Sequence, residues 1–253
     1  METVYRSDIG RIRQHNEDCT GIFLNKEKAV FAIVADGMGG HLAGDVASSM
    51  AVSAFRGLWE SSDGIATPDQ AESWLKAKIE EVNRQLFEHS ISHPECSGMG
   101  TTFVGAICTP SFATIGHIGD SRCYLLNANG FNQITEDHSL VNELVRSGEI
   151  SKEDAEHHPR KNVLMRAMGT ERTVEVEIKS VCTEDGDALL LCSDGLSNKV
   201  SEEEMQSSLE SGESLEEAAG RLIGLANQYG GEDNISVAMV LMLSGDGEGD
   251  SAC

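Results

Sequence analysis

The sequence predicts an α+β fold, a four-layer α-β-β-α sandwich of two mostly antiparallel sheets flanked by helix pairs. Three observations lead there. Blocks of short apolar strands alternate with grouped helices. Two fully apolar runs end near an Asp-Gly pair, Val30 to Ala35 directly before Asp36-Gly37 and Ala188 to Cys192 running into Ser193-Asp194-Gly195. Ser201 and Ser214 each precede a helical pattern with glutamate three residues on (Glu204, Glu217), the reciprocal capping pattern of a helix start.

Taken in order, Cys19 to Leu24 reads as a strand that turns through Asn25-Lys26-Glu27-Lys28 into the Val30 run. That hairpin sets Asp18 at the start of one strand and Asp36 at the end of its neighbour, on one side of the sheet. Apolar residues from Ala43 to Trp59 recur at three- and four-residue steps, as an amphipathic helix requires. Thr67-Pro68 caps a second helix, Asp69 to Ile91. Strands follow at Thr101 to Cys108, Ala113 to Ile118, Arg122 to Leu126 and Phe131 to Ile134, with an Asn129-Gly130 turn between the last two. Short helical pieces are predicted at Leu140 to Ser147, Lys152 to His157 and Val163 to Met168, then strands at Val174 to Val181 and Ala188 to Cys192. After the two capped helices the last strand runs from Ile235 to Leu243. No internal repeat or long linker divides the chain, so residues 1–243 are expected to form one domain, with an insertion at about 140–172 and a disordered Gly/Asp/Ser tail at 244–253.

Charge narrows the function classes. Lys and Arg total 19 against 42 Asp and Glu, a formal charge of -23. Such a field repels nucleic acid and anionic lipid and favours cations, although a solvated acidic surface is the ordinary alternative. The seven cysteines are odd in number, scattered and free of any CxxC pair, which argues for reduced core thiols over a disulfide framework or a zinc ribbon. The first residues lack an apolar signal region and no apolar stretch is long enough to span a membrane, so a cytoplasmic, membrane-free protein is expected.

Placement of the acids is more telling than their number. Asp18, Asp36, Asp120, Asp194 and Asp233 each lie at a predicted strand boundary. Taken singly, each is as well explained by a turn as by a ligand, because Asp-Gly is common turn chemistry. Their recurrence after apolar strands favours a shared site. Clustered carboxylates repel one another unless a cation intervenes, and oxygen donors without paired Cys or His suit Mg2+ or Mn2+.

Six ordered segments then resemble the metal-dependent Ser/Thr protein phosphatases of type 2C in their compact bacterial form. They are Arg13-Gln-His-Asn-Glu-Asp18, Val34-Ala-Asp-Gly-Met-Gly-Gly40, Ser97-Gly-Met-Gly-Thr-Thr102, Gly119-Asp-Ser-Arg122, Ser193-Asp-Gly195 and Glu232-Asp-Asn234. The resemblance implies that Asp36 bridges two metal ions and that the Gly37 carbonyl is a further ligand of one. It implies that Asp194 and Asp233 complete the other ion's shell, that Asp18 holds water ligands, and that Asp120 with Asp194 takes a third ion. Arg13 is implied as the substrate-phosphate ligand, a role its fork of donors suits. The implied reaction is one-step hydrolysis of phosphoserine or phosphothreonine by a metal-bridging hydroxide. The chain has no cysteine followed six positions later by arginine, no GxxxxGK[ST] loop and no HExxH helix.

One position departs from the pattern. Met38 stands where many eukaryotic relatives carry histidine after the Asp-Gly. His41 is the candidate general acid, with a helix-start role and a metal-bound water as the alternatives. The insertion resembles the family's flap and carries Arg146, Lys152, Arg160, Lys161, Arg166 and Arg172, suited to acidic or phosphorylated substrate or to surface ion pairing. The implied partners are phosphoserine/phosphothreonine proteins, including a cognate bacterial Ser/Thr kinase and its substrates, met by a monomer. An inactive phosphatase-like regulatory module and a hydrolase of small phosphoesters are the competing functions.

Overall fold

The computed structural model describes residues 1–40 and 43–243, so the 244–253 tail and His41 lie outside the described residues. The chain opens with β1 (Glu2–Asp8), β2 (Asp18–Leu24) and β3 (Val30–Met38), then the long helices α1 (Ala43–Glu60) and α2 (Pro68–Ser92). Strands β4 (Gly100–Thr101), β5 (Phe103–Cys108), β6 (Phe112–Ile118), β7 (Arg122–Asn127) and β8 (Gly130–Gln133) follow. Next come the short helices α3 (Leu140–Arg146) and α4 (Lys152–Glu156), then β9 (Glu177–Cys182) and β10 (Ala188–Cys192). The chain continues through α5 (Asp194–Ser197), α6 (Glu202–Leu209) and α7 (Leu215–Gln228) into β11 (Ile235–Leu241).

One sheet has the order β1-β11-β10-β7-β8 and the other β2-β3-β5-β6-β9, with β4 extending the pairing of β3. Every strand pair is antiparallel. The continuous apolar runs are explained by burial on both faces. In β3, Val30, Ala32 and Val34 point into the core between the sheets, while Phe31, Ile33 and Ala35 pack against α1 and α2. In β10, Leu189 and Leu191 face the other sheet, and Leu190 and Cys192 face α6 and α7. The layers are therefore helices, sheet, sheet, helices, as predicted. Phe31 anchors the outer layer, its ring centroid 5.7 Å from Phe55 and 5.6 Å from Trp59, so truncating it to alanine costs about 3–5 kcal/mol.

Three local predictions are corrected. Residues 2–8, left without an element by the sequence, form the full-length partner of β11, from Glu2↔Leu241 to Asp8↔Ile235. Only Val4 of that edge strand is buried, so it carries no apolar pattern. Val163 to Met168 is not helical. Its backbone pairs with distant chain instead, Met168 exchanging both hydrogen bonds with Thr101 at 3.0 and 2.8 Å. The predicted strand from Thr101 is broken at Thr102, where β3 changes partner from β5 to β4. Cys19, Cys96, Cys108, Cys123 and Cys192 are free thiols, as expected of core cysteines, whereas Cys182 on the edge strand β9 is disulfide-bonded.

Candidate metal and phosphate site

The five aspartates converge because strand directions bring the relevant ends to one edge of the sandwich. Asp18 and Asp36 are directly opposed in the β2–β3 ladder. Asp120 sits in the β6–β7 turn where the chain passes between sheets, Asp194 opens α5 after β10, and Asp233 precedes β11. The paired end of β10 with β7, Cys192↔Arg122, sets Asp194 beside the Asp120 turn.

Backbone and hydroxyl groups fix each approach. Asp36 is clamped by its own main chain: its N–H donates to Thr102 Oγ1 at 2.9 Å, and its carbonyl accepts from Thr102 N at 2.8 Å and Thr101 Oγ1 at 2.9 Å. Gly37 is obligatory, because a Cβ there would stand 2.0 Å from the Gly44 carbonyl oxygen and 2.6 Å from that of Glu17. Ser193 Oγ accepts the Ser236 N–H at 2.9 Å and donates to Asp18 Oδ2 at 2.7 Å. Asn198 Nδ2 donates to Asp194 Oδ2 at 3.0 Å. Asn234 binds the 9–17 loop through Ile9 O, His15 O and Glu17 N. That loop delivers Arg13, whose Nη2 lies 2.7 Å from Asp233 Oδ2.

The electrostatics are those of acids crowded out of water. Burial pushes the Asp18 carboxyl from 3.8 up to about 7, with the hydrogen bond from Ser193 opposing the rise and Asp194 and Asp233 adding to it. Asp36 is raised well above its ordinary value by burial, then by Asp18, Asp194, Asp120 and Asp233. Asp120 rises to about 8 and Asp194 to about 6, burial again leading in each. Two carboxylate oxygens, Asp18 Oδ1 and Asp194 Oδ1, are buried without a hydrogen-bond partner. Leaving such an atom unpaired costs about 1–3 kcal/mol. A hard divalent cation removes both the orphaned acceptors and the mutual repulsion, so this all-oxygen set fits one.

A cleft of about 900 Å3 is lined by Asp120 and Asp194 together with Lys152, His157, Lys161 and Lys199. Arg122, which also lines it, forms a two-pronged pair with Asp137, Nε to Oδ1 at 2.9 Å and Nη2 to Oδ2 at 2.8 Å.

Residues 11–229 match the sequence model of the family described as protein phosphatase 2C. The chain belongs to that family. It is 53% identical over 240 residues to the serine/threonine phosphatase stp of Listeria welshimeri, covering 95% of each chain. Its fold superposes on the serine/threonine phosphatase Stp1 from Staphylococcus aureus with a TM-score of 0.91 at 35% identity, over 96% of this chain and 95% of that one. It also superposes on the catalytic domain of the phosphatase PstP in complex with two manganese ions, with a TM-score of 0.81 at 35% identity over 94% and 96% of the two chains. Phosphatases 2C depend on metal, and the α+β architecture found here is the one these neighbours share.

Asp18, Asp36, Gly37, Asp120, Asp194, Asp233 and Arg13 are thus brought together at one edge. Met38 is exposed, at 37%. Several residues that build the site drew no attention in the sequence. Thr101, Thr102, Ser121, Ser193 and Asn234 lie inside the quoted segments and are buried polar groups that hold the aspartates. For Ser121, Ser193 and Asn234, a polar residue next to a strand-end aspartate was the available signal; Thr101 and Thr102 offered none, being 65 and 66 positions from Asp36.

Proposed function

We propose that the chain hydrolyses phosphoserine and phosphothreonine in proteins at a site where Asp36 would hold two divalent ions, Mn2+ or Mg2+. In this reading the Gly37 carbonyl would add a ligand to one ion, Asp194 and Asp233 would hold the other, Asp18 would hold water ligands, and Asp120 with Asp194 would take a third. The observation that carries it is the pair of orphaned buried oxygens, Asp18 Oδ1 and Asp194 Oδ1, inside a convergence of five aspartates in a phosphatase 2C chain. Ions bound there supply an activated water at neutral pH and neutralise charge on the phosphoryl oxygens.

The chain's own residues do the rest. The Thr101–Thr102 clamp holds the Asp36 backbone at both its N–H and its carbonyl, which fixes where the carboxylate starts and limits reorganisation during reaction. Arg13 stands at the mouth, and its planar donors match two phosphoryl oxygens. His41 is the candidate proton donor to the leaving alkoxide. Residues of about 140–172 form a flap that lines the cleft, where Lys152 and Lys161 meet acidic or phosphorylated residues flanking the scissile phosphate. The substrates include a cognate Ser/Thr kinase and its targets. The protein acts as a cytoplasmic monomer on phosphoproteins, away from nucleic acid and membrane; among the described residues no helix is long and apolar enough to cross one.

Phosphate release from a phosphothreonine peptide, measured beside an aryl phosphate with Mn2+ and with EDTA, tests this directly. Mn2+-dependent turnover with the peptide preferred supports it. Turnover of the aryl ester alone assigns the small-phosphoester function instead.

A further inference from the structure

Beside the aspartates lies a second group of titratable side chains, His117, His138 and Glu177, whose nitrogen and oxygen atoms lie within 4.8 Å of one another. Hydrogen bonding decides what it is. His138 Nδ1 accepts the Gly119 N–H at 3.1 Å. A neutral imidazole has one acceptor nitrogen, so the proton sits on Nε2, which faces Glu177 Oε1 at 3.1 Å. Neither nitrogen then has a lone pair free for a metal. Burial lowers the pKa of His138, in keeping with the neutral form.

The same ring reaches the catalytic edge through backbone. Gly119 has φ +108, and a Cβ there would stand 2.7 Å from Thr102 Cγ2, so only glycine fits. Such a residue has no intrinsic torsional preference to aim the next one. His138 supplies it twice. Its Nδ1 takes the Gly119 N–H, and its own N–H donates to the Gly119 carbonyl at 2.7 Å. Those two groups belong to the two peptide planes on either side of the Gly119 Cα. The angle between the planes is set by Gly119 φ and ψ, so holding both planes fixes the direction in which Asp120 leaves the turn. The ring is itself held by a tilted contact with the His117 ring, with centroids 4.6 Å apart and planes 40° apart, and by Glu177, which also receives Arg166. His138 O accepts the Met165 N–H at 2.8 Å, which ties the same residue to the chain beyond α4.

We infer that His138 is a positioning residue for the metal site: by pinning both peptide groups of Gly119 it aims the Asp120 carboxylate at Asp194. This rests on the reading of Asp120 as a metal ligand. The two nitrogens can be separated by substitution. Asparagine at 138 places an acceptor near the Nδ1 position and can keep the Gly119 bond, whereas glutamine reaches the Nε2 position and can keep only the Glu177 bond.

The experiment is calorimetric titration of the metal-free protein with Mn2+, for wild type, His138→Ala, His138→Asn, His138→Gln, Asp120→Asn and the His138→Ala/Asp120→Asn double variant. Thermal melting checks that each variant is folded. Loss of an outer support of a ligand weakens metal binding about tenfold or more, so the His138→Ala and His138→Gln variants are expected to lose about that much at the weaker Mn2+ step while His138→Asn keeps it. In the Asp120→Asn background, His138→Ala is expected to add nothing. If Asp120→Asn itself leaves every Mn2+ step unchanged, the ligand reading fails. If it weakens a step and His138→Ala does not, or if glutamine rescues and asparagine does not, the positioning role is overturned.

Discussion

The carboxyl of Asp18 gives a prediction whose sign depends on metal. In the folded, metal-free protein its pKa lies at about 7 against 3.8, a rise led by burial. A carboxyl raised in this way keeps its proton in the native state after the unfolded chain has lost it. Stability is therefore lost as pH rises from the unfolded value through the folded one, and the loss is complete above it. At about 1.4 kcal/mol per unit, the ionised carboxylate costs the metal-free fold about 4 kcal/mol near pH 8. Asp18→Asn removes that cost. Its Oδ1 can still accept from Ser193, but its NH2 falls where Asp18 Oδ1 has no partner, at about 2 kcal/mol for an unpaired donor. The net gain is about 2 kcal/mol, which for a chain of this size raises Tm by about 4–8 °C. With Mn2+ at a hundred times its dissociation constant, the wild type gains about 2.7 kcal/mol per site. The variant, lacking a charge beside the ions, gains less, and the gap closes or inverts. Scanning calorimetry at pH 6 and 8, with EDTA and with Mn2+, reads all of this. A variant that melts below wild type in EDTA at pH 8, or equal Mn2+ shifts in both proteins, refutes the reasoning.

Three further outcomes follow from the geometry. Gly37→Ala drives a methyl to 2.0 Å from the Gly44 carbonyl, and is expected to lower unfolding free energy by about 3 kcal/mol in urea titration; an unchanged midpoint contradicts the close approach. Arg13→Lys loses the paired fork while keeping charge, so kcat/KM for a phosphothreonine peptide at saturating Mn2+ is expected to fall about tenfold. Reversing Lys152 and Lys161 to glutamate is expected to raise KM for peptides with acidic flanks about two- to tenfold. The same pair of changes leaves aryl phosphate turnover alone, and equal effects on both substrates count against a cleft that holds the flanking chain.

Much of this architecture was legible because it is written in local pattern. β3 and β10 are apolar at every position since each buries both faces, and α6 and α7 announce themselves by Ser201/Glu204 and Ser214/Glu217, whose reciprocal caps are formed as read. The opposition of Asp18 and Asp36 followed from hairpin register alone. What stayed hidden depends on distant partners. β1 exists because β11 offers an unpaired edge, and its own residues are mostly exposed. Val163 to Met168 has helix-forming residues, yet Thr101 and His138 claim its backbone hydrogen bonds. The Thr102 clamp on Asp36 joins positions 66 apart in sequence. The pairing of His138 with Gly119 spans 19 residues and involves a glycine, which has no side chain to betray the contact.

Asp36 is the residue on which the account turns, since it alone is opposed to Asp18 in the ladder, clamped at both backbone groups and raised by all four of the other aspartates. The most direct measurement is Mn2+-dependent turnover of a phosphothreonine peptide by wild type and by Asp36→Asn, both confirmed folded by calorimetry. The account predicts turnover by wild type that EDTA abolishes, and a loss of at least about a thousandfold in the variant, comparable to removing a principal source of transition-state charge stabilisation. Equal turnover by the two proteins, or wild-type turnover that persists in EDTA, contradicts it.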